Sequence, residues 1–312
     1  DFGFDASFLN NRLTGTFDWY RRNTKDMLVA GATLPATLGA SVPKSNSADM
    51  KTIGWELSLG WNDRLENGFS YWVKGVLSDY QATITKYAGN DAGFYSQSDG
   101  DGKYYVGQKI GEIWGYHSNG LFQSDDEAAT IDQSELYAGK WGAGDVKYED
   151  LDNDGKITKG EETIYNPGDK SIIGNKTPRY QFGITVGFDY KNFDFEMFWQ
   201  GTGKRDYMLS GAQFWGFTSQ WDVPYTPALD YWTETNTDAY FPRPGWQNGG
   251  NRVTSDRYLQ SAAYGRLKNL TVGYTIPKNL TTKWGISRLR LYVTGENLLT
   301  ITPLNDAFDP ET

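Results

Sequence analysis

The sequence predicts an all-β protein, an antiparallel transmembrane β-barrel segment of about eight strands with long extracellular loops. Three observations lead there. Eight segments alternate between apolar and polar residues with a period of two. The connections between them alternate between short and long. Aromatics make up 16% of the chain although mean hydropathy is only -0.62. That pairing arises when apolar residues fill every second strand position and the alternate positions face water or a polar lumen.

The clearest strand runs through Tyr180, Phe182, Ile184, Val186, Phe188 and Tyr190, interleaved with Gln181, Gly183, Thr185, Gly187 and Asp189. One face is greasy and the other is small and polar. Ile53, Trp55, Leu57, Leu59 and Trp61 repeat the pattern against Gly54, Glu56, Ser58, Gly60 and Asn62. Phe193, Phe195, Met197 and Trp199 do so against Asp194, Glu196 and Gln200, with Phe198 as the one apolar intruder. Weaker copies begin at Phe2, Leu13, Phe69, Leu270 and Leu289. Each is near the 9 to 11 residues, roughly, with which a tilted strand crosses a bilayer.

Short turns are expected at Asn10 to Arg12, Arg64 to Gly68, Lys191 to Asn192 and, slightly longer, Pro277 to Gly285. Long excursions run roughly from Thr24 to Thr52, Lys86 to Arg179 and Gly203 to Ala262. Outer-membrane barrels show this asymmetry, with short periplasmic turns and long outer loops. Aromatics crowd the short turns, as Trp61, Phe69 and Tyr71 do at one and Phe188, Tyr190, Phe193 and Phe195 at another, where an interfacial girdle would lie.

Several function classes fall away. With no cysteine there is no disulfide framework, thiolate metal site or cysteine nucleophile. A formal charge of -9 argues against nucleic acid as a partner, because phosphate binding needs a positive stripe. No stretch approaches the ~20 apolar residues of a membrane helix, and no signal peptide opens the chain. The start at Asp1-Phe2, already in alternation, and the turn-like Asp309-Pro310-Glu311-Thr312 suggest a fragment. His117, the one histidine, has no G-x-S-x-G pattern nearby and reads as a loop residue. Gly201-Thr202-Gly203-Lys204 lacks the spacing of a phosphate-binding loop. No acidic pair stands out for glycosidase chemistry, so the chain is expected not to be an enzyme.

The sharpest local motif runs from Asp150 to Glu161. Asp150, Asp152, Asp154 and Glu161 occupy positions 1, 3, 5 and 12 of an EF-hand-like loop, with Gly155 at 6 and Ile157 at 8. Ca²⁺ takes six to eight oxygens, roughly, and the glycine permits the turn that converges the aspartates. Lys156 would offer its backbone carbonyl. The flanks do not read as helices, so the expected role is a structural Ca²⁺ that stabilises a loop; Glu162 and Asp169 are not counted among the ligands. The excursions also carry aromatics of an exposed type. Trp114, Tyr116, Trp215, Trp221, Trp232 and Trp246 are candidates for a ligand or partner surface, against the plainer reading that they pack the loops together.

Several of these stretches resemble the SusC/RagA-type TonB-dependent outer-membrane transporters. They are Gly144-Asp145-Val146-Lys147-Tyr148 leading into Asp150 to Glu161, Ile172-Ile173-Gly174-Asn175, and Thr177-Pro178-Arg179-Tyr180-Gln181-Phe182-Gly183. Phe193-Asp194-Phe195 with Gln200-Gly201, the run from Tyr264 to Tyr274 and the run from Leu289 to Leu298 continue the likeness. It covers the C-terminal two-thirds in order; the first third is similar only in hairpin pattern. The resemblance implies that residues 1–312 are the C-terminal part of a barrel of about 22 strands, with the plug domain and TonB box absent from this chain. It further implies import of glycans or peptides across the outer membrane of a Gram-negative, Bacteroidota-type bacterium. A SusD-like surface lipoprotein would serve as lid, TonB would act through the missing N-terminal part, and membrane lipid would surround the strands. The alternative is a secreted Ca²⁺-dependent carbohydrate-binding β module, which would need no detergent. A self-contained eight-stranded barrel is a third reading, with an interior that side chains would fill.

Overall fold

The computed structural model describes residues 1–30, 37, 39, 43–88, 90, 93–94, 104–245 and 247–311. Its strands, in chain order, are β1 (Phe2–Phe8), β2 (Leu13–Ala30), β3 (Lys44–Arg64), β4 (Ser70–Tyr87), β5 (Glu112–Tyr116), β6 (Ser118–Leu121), β7 (Val146–Tyr148) and β8 (Lys170–Asn175). They continue as β9 (Arg179–Tyr190), β10 (Phe193–Lys204), β11 (Asp206–Met208), β12 (Leu259–Ser261), β13 (Tyr264–Thr275) and β14 (Arg290–Ile301). Eight of them form one antiparallel sheet in the order β1-β2-β3-β4-β9-β10-β13-β14, and three two-stranded sheets, β5-β8, β6-β7 and β11-β12, lie in the long connections.

The expected transmembrane barrel segment is corrected by this topology. The large sheet is open: β1 pairs β2, β14 pairs β13, and the two outer edges do not meet. Among the described residues no sheet closes into a barrel, because closure requires the first strand to bond the last with a matching stagger. The eight-stranded self-contained barrel falls on the same ground. No described helix is long and apolar enough to cross a membrane.

Register explains why the strands associate. Phe4 faces Phe17, Phe17 faces Leu57, Leu57 faces Leu77 and Leu77 faces Phe182. Tyr71, Phe188, Phe195, Val272 and Val293 form a second cross-strand line on the same face. A shift of one residue would turn each row to the opposite face, so the apolar alternation fixes the register. Among the described residues no second sheet covers these rows. Leu59 is 50% exposed, Leu291 58% and Val293 77%. The rows are therefore not the inner face of a sandwich.

The turns follow local chemistry. Leu9, Asn10 and Asn11 adopt positive φ between β1 and β2, and Lys191 does so between β9 and β10. Between β13 and β14 the chain makes a helical turn at Lys278–Thr281 and a 3-10 turn at Thr282–Trp284. Two strands exceed their expected length: β2 and β3 pair from Leu13↔Trp61 up to Ala30↔Lys44, which shortens the excursion expected from Thr24 to Thr52. Ladder bonds satisfy the backbone there, and Met27, Val29 and Met50 pack against Ala48, Ile84 and Tyr87 in a short apolar patch.

β13 carries a bulge at Lys268. Trp199 faces Leu267 and Phe198 faces Asn269, leaving Lys268 without a partner on β10, and the ladder to β14 breaks at the same place. The extra residue reverses the alternation. Leu270, Val272 and Tyr274 share the apolar face below it, Leu267 shares that face above it, and Lys268 is aimed with Arg266 toward the polar side.

The long connections fold together into a cap with its own core. Tyr116, Leu121, Val146, Tyr148, Ile157, Leu209, Phe214, Trp232, Phe241, Tyr258 and Leu304 are its buried apolar side chains. Edge-to-face rings fill it: Phe214 meets Phe241 at 5.2 Å and Trp215 meets Tyr258 at 4.4 Å between centroids.

Candidate functional site

β7 is the keel of the cap and leads directly into the acidic loop. Only three residues long, it is held by side-chain amides that imitate a neighbouring strand. Gln133 donates to the Val146 carbonyl at 3.0 Å and accepts from the Tyr148 amide at 2.8 Å. Asn251 accepts from the Val146 amide at 2.8 Å and donates to the buried Asp145 carboxylate at 2.8 Å. Tyr148 is buried and donates its hydroxyl to the Gly250 carbonyl at 2.7 Å. Burial pushes its phenol well above the ordinary value, which keeps it a neutral donor.

Past β7 the chain turns sharply at Asn153 (φ 61°) and Gly155 (φ 84°). Asp150 accepts from the Gly155 amide at 2.7 Å and the Asp154 amide at 3.2 Å, and Asp152 also accepts from the Asp154 amide at 3.2 Å. These bonds converge the first two aspartates. The third carboxylate is Asp169, 1% exposed, which accepts from the Leu151 amide at 2.8 Å and the Thr158 amide at 2.7 Å and so clasps both ends of the loop. Asp150, Asp152 and Asp169 each bring one carboxylate oxygen within 4.8 Å of the other two, and the trio could coordinate a metal ion. All donors are oxygens, which suits a hard cation.

Burial, like charges and hydrogen bonds move two of the loop carboxyls in opposite directions. Desolvation and the charges of Asp154, Asp169 and Asp150 raise the pKa of Asp152 above the ordinary carboxylate value. Desolvation acts in the same direction on Asp150, but the amides of Gly155, Asn153 and Asp154 outweigh it and hold that carboxyl below the ordinary value. The hairpin that returns Asp169 is closed at Gly160 and Gly168, whose backbones touch. A Cβ on Gly160 would lie 2.4 Å from the Gly168 amide nitrogen, and one on Gly168 would lie 2.5 Å from the Gly160 nitrogen.

The other expected ligands are placed differently. Asp154 turns one oxygen to the Lys156 amide at 2.8 Å, in a local turn. Lys156 forms a parallel bridge with Asp132. Glu161 is exposed and lies outside the converging trio, while Glu162 pairs with Lys170 at 2.5 Å. Asp169 was missed because an EF-hand spacing places its closing ligand at position 12, and here a turn through Pro167-Gly168 delivers the acid from farther along.

The aromatic candidates divide. Tyr116 and Trp232 are buried in the cap core at 2% and 8% exposure, which corrects a surface role for them. Trp114 stacks on Phe94 at 4.2 Å, and Trp215 packs on Tyr258. Trp221 stands out at 82% exposure, beside the exposed Val223, Tyr225 and Leu229. Trp246 lies outside the described residues.

His117 is more than a loop residue. Its Nδ1 lies 2.7 Å from Asp256 Oδ2 and its Nε2 lies 2.7 Å from Ser171 Oγ, while Asp256 Oδ1 accepts from the Ser118 amide at 2.8 Å. The ring ties the β5–β6 junction to β8 and to the segment before β12. Ser171 and Asp256 are too distant in the chain for any local pattern to announce them. On the polar face of the large sheet, Trp72, Asp194, Glu196, Thr271, Arg288 and Arg290 line an open cleft of about 660 Å³ near the β9–β10 turn.

No protein-family model matches the chain. It is similar to TonB-dependent receptor P3 of Formosa agariphila, 30% identical over 326 residues that cover 100% of this chain and 30% of that protein. It is also similar to TonB-dependent receptor SusC of Bacteroides thetaiotaomicron, 26% identical over 99% of this chain and 29% of that protein. Among solved structures, the fold resembles a chain of the RagAB peptide transporter with a TM-score of 0.74 at 21% identity, covering 99% of this chain and 32% of that one. The RagAB peptide importer in its open-open state gives 0.73 at 20% identity, over 99% and 31%. The curated relatives are named TonB-dependent receptors. The chain spans about 30% of the length of the curated relatives it matches, and over that span it is homologous to TonB-dependent receptors, SusC among them, with the fold of the RagAB transporter chain.

Proposed function

We propose that this chain is the C-terminal part of a TonB-dependent transport protein in the outer membrane of a Gram-negative, Bacteroidota-type bacterium. In this reading the full protein imports glycans or peptides with a SusD-like lipoprotein as lid, drawing on TonB through segments that lie outside this chain. The observation that carries it is the sheet's two-sidedness, read together with the homology. One face presents uninterrupted apolar rows with nothing packed on them, as contact with hydrocarbon requires; the other carries Asp18, Glu56, Asp194, Glu196 and Arg290. The cap stands at the end of the long connections, and its exposed Trp221, Val223, Tyr225 and Leu229 supply the apolar contact that the lid would cover.

A structural Ca²⁺ belongs to the same reading. Asp150, Asp152 and Asp169 would hold it, with Asp154, the Lys156 carbonyl and Glu161 as the further oxygens that the loop spacing offers. The ion would neutralise three converging negative charges and rigidify the segment between β7 and β8.

The test is affinity purification of the full-length receptor from outer membranes. A surface lipoprotein should accompany the wild-type protein and be recovered at least about tenfold less with W221A/Y225A, the loss of two aromatic anchors. Recovery of the receptor alone from cells in which uptake is intact would overturn the lid.

A further inference from the structure

The chain that leaves β14 does not continue away from the sheet. Residues 302–311 fold back across the upper end of β13, rooted by Thr302, which donates to the Ala263 carbonyl at 2.9 Å, and by Leu304, 3% exposed in the cap core. Asn305 donates its amide to Gln260 at 3.0 Å, and the Phe308 ring reaches Phe214 at 6.3 Å. Beyond Phe308 the character of the contacts changes. Asp309 and Glu311 are held by charge: Arg266 Nη2 lies 2.9 Å from Asp309, Arg266 Nη1 lies 2.9 Å from Glu311, and Lys268 Nζ lies 2.8 Å from Glu311. Arg205 donates to the Pro310 carbonyl at 3.1 Å, and the Glu311 amide donates to Asp309 at 2.8 Å.

Two details make this more than a collection of surface ion pairs. Arg266 is 9% exposed, and besides the two carboxylates it meets Thr300 Oγ1 at 2.8 Å and lies over the Tyr264 ring. Lys268, two residues on from Arg266, meets the same Glu311 at the bulge in β13, a local irregularity that costs ladder bonds on both neighbours. The Asp309 carboxylate keeps 47% of its surface in solvent while Pro310 beside it is buried, and the cations that this segment covers would be hydrated once uncovered.

We propose that Asp309 and Glu311 form the tongue of a charge latch whose catch is Arg266 and Lys268. Closed, it holds residues 302–311 over the polar face of β13. Open, it presents two cations on that face while the sheet and the apolar root of the strap stay in place. The inference stands on these contacts and does not depend on the transport reading.

Hydrogen exchange followed by mass spectrometry on the full-length protein in detergent tests it, with D309N/E311Q as the variant. Amides of residues 304–311 should exchange at least about tenfold faster, the effect of losing charge-assisted hydrogen bonds, while Tyr264–Thr275 and Arg290–Ile301 keep their wild-type rates. In the wild-type protein, raising the salt from ~0.05 M to ~1 M should accelerate the same strap amides and no others. The salt series decides the matter if the variant fails to fold. Strap rates that ignore both neutralisation and salt would overturn the latch, and so would an acceleration shared equally by β13 and β14.

Discussion

Asp169 is the residue on which the acidic loop turns. Its two oxygens receive amides from opposite ends of the loop, so Asp169→Asn would set an NH₂ group against one of those donors and remove a charge from the trio. Titration calorimetry should find Ca²⁺ bound at least about tenfold more weakly by Asp169→Asn, with a smaller loss for Glu161→Gln. The reverse order would return the closing role to Glu161. Asn251 has a comparable position in the cap, satisfying the Val146 amide and the Asp145 carboxylate together. Asn251→Ala strands both and is expected to destabilise the cap by roughly 3 kcal/mol, seen as lost exchange protection over residues 145–148. Neither residue could be found by pattern. Asn251 acts on groups more than a hundred positions away, and Asp169 is a single acid preceding a short strand.

At the level of elements, the legible part is the part with a period. The alternation beginning at Phe2, Leu13, Ile53, Phe69, Tyr180, Phe193, Leu270 and Leu289 falls in the strands of the large sheet, because burial of one face leaves a mark at every second residue. β5, β7, β11 and β12 left no such mark. They are three to five residues long and are held by distant side chains or by partners far along the chain, as β5 is by β8. The cap core was legible only as the plainer of two readings of the loop aromatics: Tyr116 and Trp232 are enclosed, as packing of the loops against one another requires. Phe214, 1% exposed and ringed by Trp215, Tyr240, Phe241, Tyr258 and Phe308, is the strongest single point of that core. Phe214→Ala should cost about 3 to 5 kcal/mol. Denaturant titration followed by tryptophan fluorescence would show it, and a change below ~1 kcal/mol would mean that the cap repacks around the void.

For the whole molecule, electrostatics and exposed apolar area set the conditions of stability. The Lys140 side chain and the Ala143 amide lower Asp125, the Gln123 amide and Lys147 lower Glu127, and the Glu311 amide and Arg266 lower Asp309. A carboxylate depressed in the folded state contributes stability that is complete above its unfolded value, about 4, and is lost as pH falls through the folded value. Cap stability should therefore be level through neutral pH and decline below about pH 4, measured by thermal melts across a pH series. The unpacked rows of the large sheet predict that the protein stays monodisperse in detergent and associates without it, with sedimentation velocity as the readout. A monodisperse species without detergent would favour a secreted module. The open topology adds a hazard of another kind. The outer margins of Phe2–Phe8 and Arg290–Ile301 each present a free row of amides and carbonyls, so the isolated polypeptide, once concentrated, should template ordered stacking of its own copies from those two margins. A proline placed at Val293 or Phe4 would interrupt that growth at its source.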